Sequence, residues 1–153
     1  MNEAEFSKVL LEVVPQLIRF IRSEVRGAAP DVLTVPQFRI LANINRGLRT
    51  VSEIAEHHGV SQPAMTKMVN GLEKRGLIRR RTSDVDVRRT ILSLTPKGKN
   101  LYQKTRQKAQ RRLAKRLTVL TPSERKMMAE ALRGLQAAIL DKRNLKSSRR
   151  NSV

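Results

Sequence analysis

Apolar residues recur at steps of three and four from Glu3 to Val25, which predicts a long amphipathic helix at the start of the chain. Its stripe consists of Phe6, Val9, Leu10, Val13, Leu17, Ile21 and Val25, widened by Val14, Ile18 and Phe20. A helix this apolar is not expected to lie alone on a small domain, so we expect it to meet a second chain. The last predicted helix has a similar face, formed by Met128, Ala131, Leu132, Leu135, Ala138 and Ile139.

Capping residues and glycines divide the middle of the chain into short helices. The predicted helix starts are Thr34 paired with Gln37, Thr50 paired with Glu53, and Ser61. The predicted stops are Gly47, Gly59 and Gly76. The apolar period then changes to two, so residues 77–81 and 89–94 are predicted to form a β-hairpin. A long helix follows from Lys97, and its expected buried line is Leu101, Ala109, Leu113 and Leu117.

Residues 50–75 have the layout of a helix-turn-helix. Its predicted interior holds Ile54, Ala55, Val60, Met65 and Met68. The outer stripe of the second helix carries no acidic residue, as a helix in a DNA major groove requires. The predicted DNA-binding residues of this helix are Ser61, Gln62, Pro63, Thr66, Lys67, Asn70 and Lys74. Gln62 and Asn70 are expected to read base edges, and Ser61 and Lys67 to hold phosphates. An ordinary solvated surface helix is the alternative interpretation.

The stretch DVDVRRTILSLT, residues 84–95, predicts the tip and the return strand of a projecting ribbon. Leu92 and Leu94 are expected to anchor the ribbon to the helices. Arginines on a narrow ribbon can enter a DNA minor groove, where the negative potential is greatest. The predicted wing contacts are Arg81, Asp86, Arg88 and Arg89, with Arg79 and Arg80 nearby. Asp86 is expected to orient Arg88 through a bidentate pair.

Positive charge accumulates toward the end of the chain. The 32 Lys and Arg residues against 13 Asp and Glu residues give a net charge of +19, of which residues 1–60 contribute 0, residues 61–96 contribute +5 and residues 97–153 contribute +14. This distribution favours a polyanionic partner, with nucleic acid first and an anionic membrane second. Charge that serves solubility alone is the alternative, although such a surface more often mixes both signs.

Other chemistries find little support in the sequence. The chain has no cysteine, which excludes disulfides and thiolate metal sites. His57 and His58 point in different directions on a helix, so no metal site is expected. No paired carboxylates, activated nucleophile or phosphate loop is present, so we expect neither an enzyme nor a cofactor. Glu12, Pro15 and Arg19 interrupt the most apolar early run, so no membrane span is expected.

Three segments together resemble the MarR family of bacterial and archaeal transcription regulators. They are LTVPQFRIL (33–41), TVSEIAEHHGVSQPAMTKMVNGLEKRGLIRR (50–80) and DVRRTILSLTPKG (86–98). The family's wing signature is matched by Asp86, Arg88, Leu94, Thr95 and Gly98. The resemblance implies a mainly α fold with a small β-hairpin wing, which is a winged helix-turn-helix with an N-/C-terminal helical dimerisation lobe. It also implies a homodimer that binds pseudo-palindromic DNA, usually as a repressor, and is often released by a small ligand.

The resemblance divides the chain into a dimerisation helix (1–32), a winged helix-turn-helix lobe (33–98), C-terminal dimerisation helices (99–144) and a basic disordered tail (145–153). Dimer contacts are expected at Phe6, Leu10, Val13, Leu17, Leu132, Leu135 and Ile139. The expected partners are double-stranded DNA, a second copy of the chain and a small-molecule inducer, whose binding residues the sequence does not identify. The expected location is the bacterial or archaeal cytoplasm, at the nucleoid.

Three features depart from the family pattern. His58 stands where Leu is usual, Val87 stands where a polar or basic residue is common, and the cysteine of the peroxide-sensing members is absent. Thiol sensing is therefore excluded, and His58 is expected to be a partly buried residue whose protonation loosens the motif near pH 6–7. The predicted function is sequence-specific transcription regulation. The rival is an architectural protein that coats DNA without choosing sequence, which the basic last third would also serve.

Overall fold

The computed structural model describes residues 1–30, 33–82 and 90–150, with side chains described up to residue 139. Its elements are α1 (Glu3–Ala28), α2 (Val35–Asn45), α3 (Val51–His58), α4 (Gln62–Lys74), β1 (Ile78–Thr82), β2 (Thr90–Leu94), α5 (Pro96–Arg116) and α6 (Pro122–Arg150). The strands pair antiparallel, with Ile78 opposite Leu94 and Thr82 opposite Thr90. These elements confirm the predicted mainly α fold with a hairpin wing.

The chain divides into two compact units, Met1–Leu113 and Ala114–Val153. In the second unit the backbone of α6 is helical as far as Arg150, although the sequence predicted a disordered tail from Leu145. Leu, Lys and Arg are good helix formers, so the helix continues through these residues. Residues 151–153 lie outside the described part of the chain.

The capping residues form the local contacts that the sequence predicts. Thr50 Oγ1 accepts a hydrogen bond from Glu53 N at 3.2 Å, and Glu53 Oε2 accepts one from Thr50 N at 3.0 Å. Thr34 and Gln37 form the same reciprocal pair at the start of α2. Gly59 ends α3 in a left-handed conformation with φ of 66°, which a residue with a Cβ adopts only at a cost. The start and the end of α3 are therefore fixed by residues next to it in the sequence.

The core of the first unit lies between α2, α3, α4 and the hairpin. Its largest side chains, none above 2% exposed, are Ile40, Leu41, Ile54, Met65, Val69, Leu72, Leu77, Ile78 and Leu92. Helix α5 joins this core through Tyr102, whose ring centroid lies 5.5 Å from that of Phe38. The predicted burial of Val60 is wrong, because Val60 lies in the turn after Gly59 and is 39% exposed.

Helix α5 buries Ala109 as predicted, but its other buried residues are not the predicted leucines. Its buried residues are Gly98, Tyr102, Thr105 and Ala109. Leu101 and Leu113 are only half-buried, and Leu117 lies beyond the helix in a short 3-10 turn. Ala109 packs with Val25 and Ala28 of α1, so small side chains form this contact between the two helices. Contacts between such distant parts of the chain are not visible in the spacing of leucines along α5 alone.

The hairpin is joined to α5 through backbone groups around Gly98. Thr95 N donates to Leu77 O at 3.1 Å, and Thr95 Oγ1 donates to Gly76 O at 2.6 Å. Gly98 N donates in turn to Thr95 Oγ1 at 3.0 Å. A Cβ added at Gly98 would lie 1.8 Å from Leu77 O, which is far inside van der Waals contact. Only glycine therefore permits this approach of α5 to Leu77, the residue before β1.

Helix α1 is held in the first unit near its C-terminal end. It runs through Pro15 and ends at Ala28 rather than at Val25, and its buried residues are Glu24, Val25 and Ala28. The buried Glu24 carboxylate accepts a hydrogen bond from Arg112 Nε at 2.9 Å. A Cβ added at Gly27 would lie 2.6 Å from Arg112 Nη2, so the Arg112 side chain would have to move for a larger residue to fit there.

Candidate nucleic-acid interface

The predicted DNA-facing residues of α4 lie together on one exposed surface. An open concavity of about 650 Å³ is lined by Gln62, Pro63, Thr66, Lys67, Asn70, Gly71 and Lys74. Thr66 is half-exposed, whereas Gln62, Lys67, Asn70 and Lys74 are exposed. The opposite side of the same helix is firmly buried through Met65, Val69 and Leu72. The helix therefore has a packed inner face and a polar outer face, and the residues that line the concavity include no acidic side chain.

Ser61 precedes this surface and caps the helix. Its Oγ accepts a hydrogen bond from Ala64 N at 3.4 Å, which leaves the hydroxyl proton available to a ligand. The N-terminal end of a helix carries a partial positive charge, which favours an anion nearby. Ser61 is thus located where a phosphate oxygen would be stabilised.

Arg80 bridges two residues of α4. Its Nη2 donates to Asn70 Oδ1 at 2.7 Å, and its Nη1 forms a short ion pair with the Glu73 carboxylate. Asn70 therefore has its carbonyl oxygen engaged and presents its amide NH₂ to the outer surface. Glu73, the acidic residue of α4, is neutralised by the same guanidinium. Arg80 thus sets both the orientation of Asn70 and the local charge.

The sequence did not single out Arg80 as part of this surface. The signal was available in the alternation along β1, because Ile78 is buried, Arg79 is exposed and Arg80 is half-buried. Arg79 is directed elsewhere and donates from Nε to Ser93 Oγ at 3.2 Å. Since successive side chains of a strand point to opposite faces, Arg80 shares the helix-facing side with Ile78.

Arg81 is exposed on β1, opposite Ile91 of β2. Asp86, Arg88 and Arg89 lie outside the described residues. The expected pair of Asp86 with Arg88 therefore remains a prediction, as does the entry of the wing into a minor groove.

His58 is half-buried behind the helix-turn-helix, as expected, and is held by a polar residue of α2. The nitrogens His58 Nε2 and Asn43 Nδ2 lie 2.9 Å apart, and Asn43 is itself 3% exposed. Burial lowers the pKa of His58 from its ordinary value of 6.5, and the charges of Arg39 and His57 lower it further. When Asn43 Nδ2 donates, Nε2 of the neutral imidazole accepts the hydrogen bond. Protonation at Nε2 would place two hydrogen-bond donors against each other.

We expect wild-type protein to lose stability as the pH falls below about 6.5. The unfolded chain binds a proton at the ordinary pKa of histidine, whereas the folded chain resists protonation until a lower pH. The free energy of unfolding therefore decreases as the pH falls from 6.5 toward the pKa of His58 in the folded state. The decrease is less than about 1 kcal/mol because the ring is partly exposed. Urea denaturation of wild type and His58→Leu at about pH 8 and about pH 5.5 tests this. Identical pH dependence of the two proteins would contradict it.

No group of three or more His, Cys, Asp or Glu side chains within the described ranges could hold a metal ion. The rings of His57 and His58 have centroids 6.1 Å apart and meet edge to face. No helix in the same part of the chain has the length and apolar character needed to cross a membrane.

The predicted dimer contacts present exposed apolar surface on each unit of the single chain. On α1, Phe6, Val13 and Leu17 are 44%, 42% and 46% exposed, and Leu10 is half-buried. On α6, Leu132 and Ile139 are exposed and Leu135 is half-buried. Side chains of this size and number on one helix face are characteristic of protein contact surfaces.

Comparisons with known proteins point in the same direction. The sequence model of the MarR family matches residues 33–89. The HTH-type transcriptional regulator MT0903.1 of Mycobacterium tuberculosis is 31% identical over 140 residues, which cover 92% of this chain and 96% of the relative. A MarR family protein of known structure from Bacillus stearothermophilus is 26% identical, with a TM-score of 0.73 over 92% of this chain and 99% of that one.

A more distant structure shares the fold alone. It is BpsR from Bordetella bronchiseptica, whose binding to DNA is regulated by 6-hydroxynicotinic acid. The two chains are 20% identical, with a TM-score of 0.65 over 86% of this chain and 95% of BpsR.

Proposed function

Because this chain belongs to the MarR family of DNA-binding transcription regulators, we propose that it is a repressor that binds a pseudo-palindromic operator as a homodimer. The observation that carries the proposal is the exposed polar outer face of α4, beside which the one carboxylate of the helix, Glu73, is paired with Arg80. A helix of this kind fits the major groove, where Gln and Asn side chains pair with base edges and Lys holds phosphates. The same membership points to a regulator rather than an enzyme.

In this proposal each protomer contributes one α4 and one wing. Gln62 and Asn70 read bases, Ser61 and Lys67 hold phosphates, and Pro63, Thr66 and Lys74 complete the contact. Arg81, Asp86, Arg88 and Arg89 belong to the wing, and Arg88 enters the minor groove in the orientation that Asp86 imposes. Two such lobes engage half-sites about 34–36 Å apart, one turn of the DNA helix.

The dimer is proposed to form through the apolar faces of α1 and α6. The support is their exposure in the single chain, which a second copy would cover. A small ligand that releases the DNA is also part of the proposal, supported by the ligand control of BpsR. A regulator of this kind acts at the nucleoid in the cytoplasm.

Fluorescence anisotropy at fixed, near-physiological salt tests sequence-specific binding. DNA from upstream of the protein's own gene is compared with a scrambled duplex of equal length, and a ratio of about 10³ or more is expected. If the operator lies elsewhere, selection of genomic fragments by the protein should recover it. If selection recovers no preferred fragment, the rival architectural function replaces the regulator, which the +14 charge of residues 97–153 would then explain.

Arg88→Ala is expected to weaken operator binding by about 1–3 kcal/mol, because it removes a specific minor-groove contact. The loss should be smaller with a scrambled duplex, since non-specific binding does not depend on a shaped groove. Anisotropy titrations on both duplexes measure the difference. Arg46→Ala, which removes an exposed arginine outside the predicted DNA contacts, is the control, and unchanged operator affinity in Arg88→Ala would contradict the wing assignment.

Arg80→Gln is expected to weaken operator binding about tenfold, a change of about 1.4 kcal/mol, through loss of a charge-assisted contact. Two effects contribute, because Asn70 is released and the Glu73 carboxylate is left beside phosphates. The double variant Arg80→Gln/Glu73→Gln separates them, since it removes the repulsion and still leaves Asn70 unheld. We expect it to recover binding to the scrambled duplex but not to the operator. Full recovery of affinity for both duplexes would show that Arg80 acts only by neutralising Glu73.

A further inference from the structure

Helix α5 carries a straight row of positive side chains that the helix-turn-helix does not use. Its members are Lys97, Lys104, Lys108 and Arg111, and all four are exposed. Their separations of seven, four and three residues place them within an arc of about 60° over a length of about 21 Å, given 3.6 residues per turn and 1.5 Å per residue. We call these four residues the α5 row.

The α5 row is not neutralised within the described part of the chain. Helix α5 contains nine Lys and Arg residues and no Asp or Glu. The structure gives Lys104, Lys108 and Arg111 no ion pair and no side-chain hydrogen bond among the described residues. Like charges three or four residues apart on a helix repel each other by a few tenths of a kcal/mol per pair. A polyanion bound along the row would relieve this repulsion.

The surroundings of the row identify the class of polyanion. Asn100, Gln103 and Gln107 are exposed on one side of the row, so ammonium and amide donors stand together. Lys, Arg, Asn and Gln are the side chains that contact nucleic-acid phosphates. An anionic membrane would instead favour a helix with bulky apolar side chains beside its cations, and the exposed side chains beside the row are amides.

The row begins next to the C-terminal end of α4. Lys97 Nζ donates to Arg75 O at 3.0 Å, immediately after the last residues of the recognition helix. From there the row follows α5 toward the Arg112–Glu24 pair at the end of α1. The outer face of α4 and the α5 row therefore both lie in the first compact unit, and the row starts where α4 ends.

We propose that the α5 row is a second nucleic-acid-binding surface, which holds the phosphate backbone of DNA that α4 does not read. The row is proposed to recognise charge and not sequence, because lysine and arginine contacts to phosphates carry no sequence information. A protein with both surfaces links the DNA that it reads to a neighbouring segment. This inference concerns surfaces outside the operator contacts and does not depend on them.

The test compares two double variants on the same helix. Lys104→Gln/Lys108→Gln removes two charges from the row, and Lys99→Gln/Arg106→Gln removes two exposed charges about 180° away around the helix. The salt dependence of binding to a scrambled duplex is measured for wild type and both variants. Two lost phosphate contacts lower the slope of log K against log salt by about 1.8. Between about 0.05 and 0.2 M salt, wild-type affinity then falls about twelvefold more than that of the row variant.

A second experiment measures directly whether the protein binds two duplexes at once. A bead-bound duplex loaded with full-length protein should capture a labelled second duplex, and the row variant should lose this capture while the control variant keeps it. Equal slopes of log K against log salt in wild type and both variants would overturn the proposal, and so would an equal decrease of this slope in both variants. Loss of binding to phosphatidylserine vesicles with an unchanged DNA slope would overturn it in favour of a membrane. If wild type shows no operator preference but the row result holds, only the proposed repressor function fails.

Discussion

Replacing Gly98 with alanine is expected to lower the free energy of unfolding by about 3 kcal/mol, the upper part of the range for overpacking a filled site. The added Cβ would lie 1.8 Å from Leu77 O, and a backbone carbonyl cannot turn aside as a flexible side chain can. Moving this carbonyl also breaks its hydrogen bond from Thr95 N. The hairpin is then separated from α5, so specific DNA binding should be lost together with stability. Urea denaturation followed by circular dichroism measures the loss.

Gly71→Ala is the matched control for this experiment. Gly71 lies inside α4, and a Cβ added there meets nothing within 4 Å. Alanine at such a position favours the helix by about 0.5–1 kcal/mol over glycine. We therefore expect Gly98→Ala to lower the free energy of unfolding and Gly71→Ala to raise it. A Gly98→Ala protein as stable as wild type would mean that the junction of the hairpin with α5 is looser than its geometry indicates.

Leu17→Glu is expected to convert the proposed dimer into a monomer at micromolar concentration. Burying one leucine side chain contributes about 1.5–3 kcal/mol, and a symmetric interface uses the residue twice. The variant loses this contribution and adds two carboxylates to an apolar contact, which is costly unless they are paired. Operator affinity should fall at least about a hundredfold, because one lobe engages only one half-site. Analytical ultracentrifugation and anisotropy measure the two effects.

Leu11→Glu controls for the charge and for the helix. Leu11 is 78% exposed and lies about 120° around the helix from Leu17. Both variants introduce the same side chain into the same helix, so only the position relative to the stripe differs. Leu11→Glu should remain dimeric, and a Leu17→Glu protein that also remains dimeric would exclude this stripe from the interface.

The parts of the fold that could be predicted from sequence are those that depend on neighbouring residues. The reciprocal pair of Thr50 and Glu53 acts across one helical turn, and Gly59 ends α3 by its own backbone preference. The outer face of α4 was also predicted, because burial of Met65 and Leu72 determines which residues remain outside. In each case the sequence pattern that allows the prediction spans only a few helical turns.

The parts that could not be predicted depend on contacts between distant segments. The buried face of α5 is set by the stacking of Tyr102 on Phe38 and by Ala109 against α1, while the leucines of α5 are less buried. The turn of Arg80 toward Asn70 likewise depends on how β1 is placed against α4. Charge alone indicated where positive residues accumulate, but not which of them are engaged inside the lobe.

Helix α1 is packed against the rest of its unit at one end only, through Val25, Ala28 and the Glu24–Arg112 pair. The helix has 26 residues, a length of about 39 Å. A rotation of about 5° about the packed end would displace the other end by about 3 Å, close to the 3.4 Å step between base pairs. In the proposed dimer, the rigidity of this packing therefore sets the range of half-site spacings that one dimer accepts, independently of the residues that read the bases.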